Sequence, residues 1–227
     1  MSDGQLRCPK STILFDLDGT ILYTLPDLVQ ACNTALLAHG LAPCTADEVM
    51  SYLGFGIGAL VDSCIHEPLS QKERDEVFQD FVDYYFAHCK DNTTPYPGVP
   101  EFLYSLKAQG LKLGVVSNKA DEPTQTLIHS IFGNVFDIVI GQRQDIPKKP
   151  AADGILLAMD TLGSKPEECV YIGDSYVDAQ TAKNAGIEYI ICSWGYRTKE
   201  FLTNKGIENI VDSLYELEDE IRKANQQ

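Results

Sequence analysis

The spacing of apolar residues changes twice along the chain, and each change marks a different kind of structure. Residues 13–18 form a short apolar run closed by Asp-Gly, the pattern of a strand buried on both faces. From 25 to 90 the apolar period is helical. Leu28, Val29, Cys32, Leu36 and Leu37 recur at helical spacing, and Val77, Phe78, Phe81, Val82 and Tyr85 form a second apolar face. Thr45-x-x-Glu48 and Ser70-x-x-Glu73 read as capping boxes, each opening a helix. The stretch Pro95-Tyr-Pro-Gly98 then punctuates the chain, and alternation begins. Strands are expected at 111–116, 137–140, 169–172, 187–192 and 209–211. Helices are expected near 99–109, from Asp121 and Pro123, near 152–162, over 178–185 up to Gly186, and over the last dozen residues.

Strands separated by single helices imply a parallel sheet covered on both faces. The expected class is therefore α/β, a Rossmann-like parallel sheet with an all-helical insertion after the first strand. The expected division is 1–20 and 92–227 for the sheet domain and 21–91 for the insertion. Ligands of such sheets bind beyond the carboxyl ends of the strands.

Composition narrows the classes of function. A chain of 227 residues with 44% apolar content can bury a full core. A formal charge of −15 argues against nucleic acid or an anionic membrane as partner, since both recruit basic surfaces. Neither a membrane-length apolar run nor a signal-peptide core is visible, so the expected location is the cytoplasm. Seven cysteines, at 8, 32, 44, 64, 89, 169 and 192, include no C-x-x-C pair, which argues against a disulfide framework or a zinc site. The four histidines, at 39, 66, 88 and 129, are dispersed and match no motif. Trp194 reads as a packing residue.

The strand ends carry the chemistry. Asp16 and Asp18 leave the first strand two residues apart, Ser117-Asn118-Lys119 follows the second, Lys148-Lys149-Pro150 follows the third, and Gly173-Asp174-Ser175 with Asp178 follows the fourth. Side chains at i and i+2 share a strand face with Cα atoms about 7 Å apart, so both aspartates are expected to face one cleft. Each piece alone has a plainer reading: a turn, a helix cap or a solvated loop. Together they supply carboxylates, a hydroxyl, an amide and a lysine, the groups needed to hold a phosphoryl group beside a divalent cation.

The segments "DLDGT" at 16–20, "VVSNK" at 115–119, "KKPAAD" at 148–153 and "YIGDSYVDAQTAKNAG" at 171–186 resemble the haloacid dehalogenase-like phosphatases, most closely the phosphoglycolate phosphatase branch. That resemblance implies an aspartyl-phosphate mechanism with Asp16 as nucleophile and Asp18 as acid and base. It implies Mg²⁺ held by Asp16, the carbonyl of Asp18 and Asp174, with Asp178 supporting the site. Ser117 and the amide of Asn118 would bind phosphoryl oxygens. Lys149, preferred to Lys148 because it precedes proline, would neutralise charge and act in catalysis. The helical insertion would be a cap domain that selects the leaving group, with Gly54-Phe-Gly-Ile-Gly58 serving either as a substrate loop or as a helix start. Many relatives continue the first motif with an acidic residue and a serine, where this chain has Tyr23-Thr24. The implied substrate is a small phosphorylated metabolite, 2-phosphoglycolate first, with pyrophosphate, nucleotides and sugar phosphates as alternatives. The rival activities are a phosphomutase of the β-phosphoglucomutase kind, a dehalogenase, and a silent binding protein on the same fold. A monomer or homodimer is expected.

Overall fold

The structure, a computed structural model, describes residues 9–226; Cys8 and the leader reading of the first eight residues lie outside the described residues. The chain forms two compact units, one from the residues through Leu22 and from Pro95 onward, the other Tyr23–Thr94. At both passages between them the chain is extended, as β2 (Leu22–Tyr23) and β3 (Thr94–Pro95).

The second unit is helical: α1 (Leu25–Ala38), α2 (Ala46–Ser51), α3 (Ile57–Cys64) and α4 (Gln71–His88). Both expected capping boxes form. Thr45 and Ser70 accept the backbone N–H of Glu48 and Glu73, whose carboxylates take the cap N–H groups in return at 2.7 and 2.8 Å. Each such cap is worth about 1 kcal/mol. Leu28, Cys32 and Leu36 of α1 and Val77, Phe81 and Tyr85 of α4 are buried. Leu37 departs from the expected face, being 60% exposed. It lies one position past Leu36, and at 100° per residue a helix turns it away from the core. Gly56 caps the start of α3 with φ +86°, so the glycine segment does open a helix. Buried Asp27, in the first turn of α1, accepts the N–H groups of Asn92 and Thr93 at 2.8–3.0 Å and the Thr93 hydroxyl at 2.8 Å. This fastens the start of the unit to its end.

In the first unit β1 (Thr12–Phe15) is followed, after the helical unit, by α5 (Val99–Ala108), β4 (Lys112–Ala120), α6 (Asp121–Phe132), β5 (Ile138–Gln142) and α7 (Asp153–Leu162). The remainder is β6 (Cys169–Gly173), α8 (Tyr176–Ala185), β7 (Glu188–Cys192), α9 (Lys199–Asn204), β8 (Ile210–Val211) and α10 (Leu214–Asn225). Six strands make one parallel sheet in the order β5-β4-β1-β6-β7-β8. Counted among themselves the strands run 3-2-1-4-5-6, the Rossmann-like order, with its reversal between β1 and β6. Leu14, Val116, Ile140, Ile155, Ala158, Tyr171 and Ala182 form one core cluster between sheet and helices. Among the described residues no helix is long and apolar enough to cross a membrane.

The strand limits depart most from expectation at the C-terminal ends of β1 and β4. β1 ends at Phe15 rather than at residue 18, because Leu17 turns its carbonyl to accept the N–H groups of Thr20, Ile21 and Leu22, which takes it out of the ladder. β4 runs on to Ala120, past 116, and its register with β5 slips between Val116 and Ala120.

Candidate active site

Sheet register brings the motifs together. Phe15 pairs with both Val115 and Ile172, so the residues that follow in β1, β4 and β6 emerge side by side at the point where the strand order reverses. The Asp16 N–H continues the ladder to the Ile172 carbonyl at 2.8 Å. Asp16, Asp174 and Asp178 are all buried, each with a carboxylate oxygen within 4.8 Å of the others.

Lys149 stands among them. Its ammonium is 2.8 Å from Asp16 Oδ1 and 2.7 Å from Asp178 Oδ1, and it donates to the Tyr171 hydroxyl at 3.0 Å. Tyr171 in turn donates to the Val116 carbonyl at 2.6 Å. Of the two neighbouring lysines, Lys148 is exposed and Lys149 is 7% exposed. Asn118 fixes Lys149 from behind: its carboxamide accepts the Lys149 N–H at 2.7 Å and donates to the Lys149 carbonyl at 3.1 Å. Both polar ends of the Asn118 side chain therefore brace the loop. Ser117, also buried, accepts the Lys119 N–H at 3.3 Å.

The aspartates are held differently. Asp178 is the third residue of α8, and its Oδ2 accepts the Ser175 N–H at 3.0 Å and hydroxyl at 2.5 Å in a capping box. Asp174 Oδ2 accepts the Tyr196 N–H at 2.7 Å. Space around Asp174 exists only because two residues lack side chains. A Cβ on Gly19, which has φ +81°, would lie 2.3 Å from Asp174 Oδ2, and one on Gly195 would lie 2.4 Å from Asp174 Cβ. The Trp194 indole donates to the Thr20 carbonyl at 3.1 Å, tying the loop after β7 to the Asp-Gly turn. The Asp18 carboxylate is outside the acidic cluster and accepts from the Lys119 ammonium at 3.1 Å.

Electrostatics set these groups apart. Burial pushes the Asp16 carboxyl up to about 6 against the pull of Lys149, with Asp178 adding to the rise. Burial, with Asp178 and Asp16 nearby, holds Asp174 well above the usual carboxylate range. Burial alone would depress the Lys149 ammonium, but Asp16 and Asp178 outweigh it and hold it well above its ordinary value.

The donor set fits a hard divalent cation. Asp16 Oδ1 is a buried oxygen to which no group donates a hydrogen bond in good geometry, although Lys149 lies at ion-pair distance. Asp16, Asp18, Asp174 and Asp178 face two ammoniums, Lys119 and Lys149, leaving a formal −2 that such a cation cancels. All-oxygen ligands suit Mg²⁺ rather than a thiophilic metal.

Sequence reasoning left Lys119, Tyr171, Gly195 and Tyr196 without roles. Lys119 was visible within the second motif and Tyr171 at the head of the fourth. Gly195 and Tyr196 act through main-chain spacing and a backbone N–H, which leave no local signal.

The sequence profile of the haloacid dehalogenase-like hydrolases matches residues 13–192. A phosphoglycolate phosphatase of Caulobacter vibrioides is 35% identical over 91% of this chain and 89% of its own length. An N-acetylmuramic acid 6-phosphate phosphatase of Pseudomonas aeruginosa is 30% identical over 96% of this chain and 97% of its own. A crystal structure from Lactobacillus delbrueckii subsp. bulgaricus, provisionally named a phosphoglycolate phosphatase, superposes with a TM-score of 0.87 at 34% identity, covering 94% of this chain and 98% of that one. The profile spans the first, second and fourth motif segments and the lysine between them, and the chain belongs to the haloacid dehalogenase-like hydrolases.

Proposed function

We propose that this protein is a Mg²⁺-dependent phosphatase of small phosphorylated metabolites, with 2-phosphoglycolate as its leading substrate. The observation that carries the reading is the buried set of Asp16, Asp174 and Asp178 around Lys149 at the β1–β6 reversal. The similarity to enzymes named phosphoglycolate phosphatase supports the substrate.

In this reading Asp16 attacks phosphorus, the bond to the leaving oxygen breaks, and an aspartyl-phosphate forms. Asp18 gives its proton to the departing alkoxide, then takes one from the water that cleaves the acyl phosphate. Lys149 offsets charge between Asp16 and the phosphoryl oxygens, and Ser117 with the backbone N–H of Asn118 binds those oxygens. Asp16, Asp174 and the Asp18 carbonyl would hold Mg²⁺, with Asp178 supporting them. The bound ion supplies the positive charge that brings two anions together. Asp178 keeps Lys149 aimed, since it shares the same ammonium. The unit Tyr23–Thr94 serves as the cap that selects the leaving group.

A phosphate-release panel tests the substrate. 2-Phosphoglycolate should give the highest kcat/KM among N-acetylmuramic acid 6-phosphate, other sugar phosphates, nucleotides and pyrophosphate; a higher value for any of the others reassigns it. Interconversion of sugar phosphates with little phosphate release would instead identify a mutase.

The cation has a signature in stability as well as in rate. An acid whose carboxyl is raised in the folded state stabilises that state at low pH, and the contribution is lost as pH climbs from its ordinary 3.8 through about 6 for Asp16. Mg²⁺ needs the ionised form, so its stabilisation should grow over the same window. At a hundredfold excess over Kd, Mg²⁺ should add about 2.7 kcal/mol at pH 7.5 and far less at pH 5. Thermal melts with and without Mg²⁺ measure this. An equal gain at both pH values would remove Asp16 from the ligand set.

A further inference from the structure

Three lysines are buried among the described residues: Lys10, Lys119 and Lys149. Lys10 closes on Glu188 at 2.5 Å and on the Glu167 carbonyl at 2.7 Å, a structural tie. Lys149 faces Asp16 and Asp178. Lys119, with its side chain 1% exposed, brings Nζ to 3.1 Å from Asp18 Oδ1 and 3.4 Å from Oδ2. The two carboxylates of the first motif thus face different ammoniums, Asp16 that of Lys149 and Asp18 that of Lys119.

The root of the Lys119 side chain is fixed on every side. Its N–H donates to Ser117 Oγ at 3.3 Å, and its carbonyl accepts from the Thr124 hydroxyl at 3.3 Å. A Cβ on Gly141 would stand 3.0 Å from that same carbonyl, so the bare glycine lets the neighbouring strand close on it. The register slip in β4 falls across this residue. At the other end Asp18 is set by a tight turn in which the Gly19 N–H donates to the Leu22 carbonyl at 2.9 Å. Burying an ammonium is expensive unless a paired anion compensates, and a lysine used only for solubility would remain in water.

We propose that Lys119 is the positioning residue of the acid–base carboxylate, holding Asp18 where it meets the leaving oxygen in the first step and water in the second. This rests on the assignment of Asp18 as acid and base. As the bond from phosphorus to the leaving oxygen breaks, the Asp18 proton passes to that oxygen and a negative charge appears on Asp18. Lys119 stands opposite that charge, so its attraction strengthens as the proton leaves, which is the condition for accelerating the step. In the second step Asp18 recovers a proton from the attacking water while the bond from Asp16 to phosphorus breaks. The ammonium then keeps the carboxylate from turning away between the two steps.

The test separates steps by leaving group. p-Nitrophenolate departs without a proton, whereas the alkoxide of an alkyl phosphate requires one. Lys119→Met should keep a first-turnover burst of p-nitrophenolate close to wild type, because Asp16 and Lys149 are untouched. On an alkyl phosphate its kcat should fall about 10²-fold, with KM nearly unchanged. Lys119→Arg, which keeps the charge, should recover most of that loss. In an Asp18→Asn background, adding Lys119→Met should change neither kcat nor KM further. Loss of the burst, a rise in KM at constant kcat, or an additive loss in the double variant would overturn the proposal. If Asp18→Asn alone hydrolyses alkyl phosphates at the wild-type rate, the assignment of Asp18 falls and this inference with it. If Asp18→Asn fails as expected while Lys119→Met is fully active on alkyl phosphates, only the role of Lys119 is refuted.

Discussion

Asp16→Asn should lower phosphatase turnover by about 10⁴-fold or more while the protein still folds. The amide is nearly isosteric but has no charged oxygen to attack phosphorus, so the aspartyl-phosphate cannot form. Folding should survive because the change removes a charge from a crowded acidic site rather than a hydrogen-bonded one. Asp16 Oδ1 receives no well-formed hydrogen bond, and the carboxyl is already pushed up to about 6 by burial. In the absence of metal the variant should therefore melt no lower than wild type at neutral pH. Two measurements check this: acid-quenched phosphoenzyme from ³²P-labelled substrate, absent in the variant and present in wild type, and thermal melts without Mg²⁺. A variant that still accumulates labelled phosphoenzyme would strip Asp16 of its role as nucleophile.

The gathering of these groups at the strand ends was legible because each is placed by a local rule and the rules agree. Asp16 follows a continuous apolar strand, Asp174 follows another, and Asp178 sits in the first turn of a helix opened by Ser175. Parallel topology then aligns those ends without further information, which is how Phe15 comes to pair with both Val115 and Ile172. The helical unit was legible for the same reason, its capping boxes being patterns of four residues. What escaped depends on partners far along the chain. Tyr196 reaches Asp174 through its backbone N–H, a group every residue but proline possesses. Asp27 lies in the first turn of α1, and its bonds to Asn92 and Thr93 follow only from tertiary closure. β2 and β3 are two residues each, too short for any periodicity to register. Lys119 lay in plain view within a recognised motif, yet a strand pattern cannot tell which lysine will be carried inward. Lys119 lies within the stretch of β4 over which the register with β5 shifts, and its ammonium reaches Asp18 at 3.1 Å.

Lys149→Met should cost both activity and stability, because one ammonium serves two buried carboxylates. Its loss leaves Asp16 and Asp178 facing each other without the cation that holds them together. Breaking a buried ion pair from one side typically costs about 3–5 kcal/mol, and methionine fills the space without restoring the charge. Asp16 then escapes only by keeping its proton. With the pull of Lys149 gone, burial and Asp178 act unopposed, so the carboxyl stays protonated to a pH above the value of about 6 that it has beside the lysine. A protonated nucleophile does not attack phosphorus, and the phosphoryl oxygens lose a neutralising partner. Turnover at pH 7 should consequently drop about 10³-fold. Two features separate this from simple damage. Residual kcat should climb with pH over the range above 6, as Asp16 is forced to ionise, and Mg²⁺ should raise the melting temperature of the variant more than that of wild type, because the ion replaces missing charge beside Asp16. A variant that keeps a tenth of wild-type activity at pH 7, or whose residual rate does not change with pH, would show that Lys149 braces the loop without acting on the nucleophile.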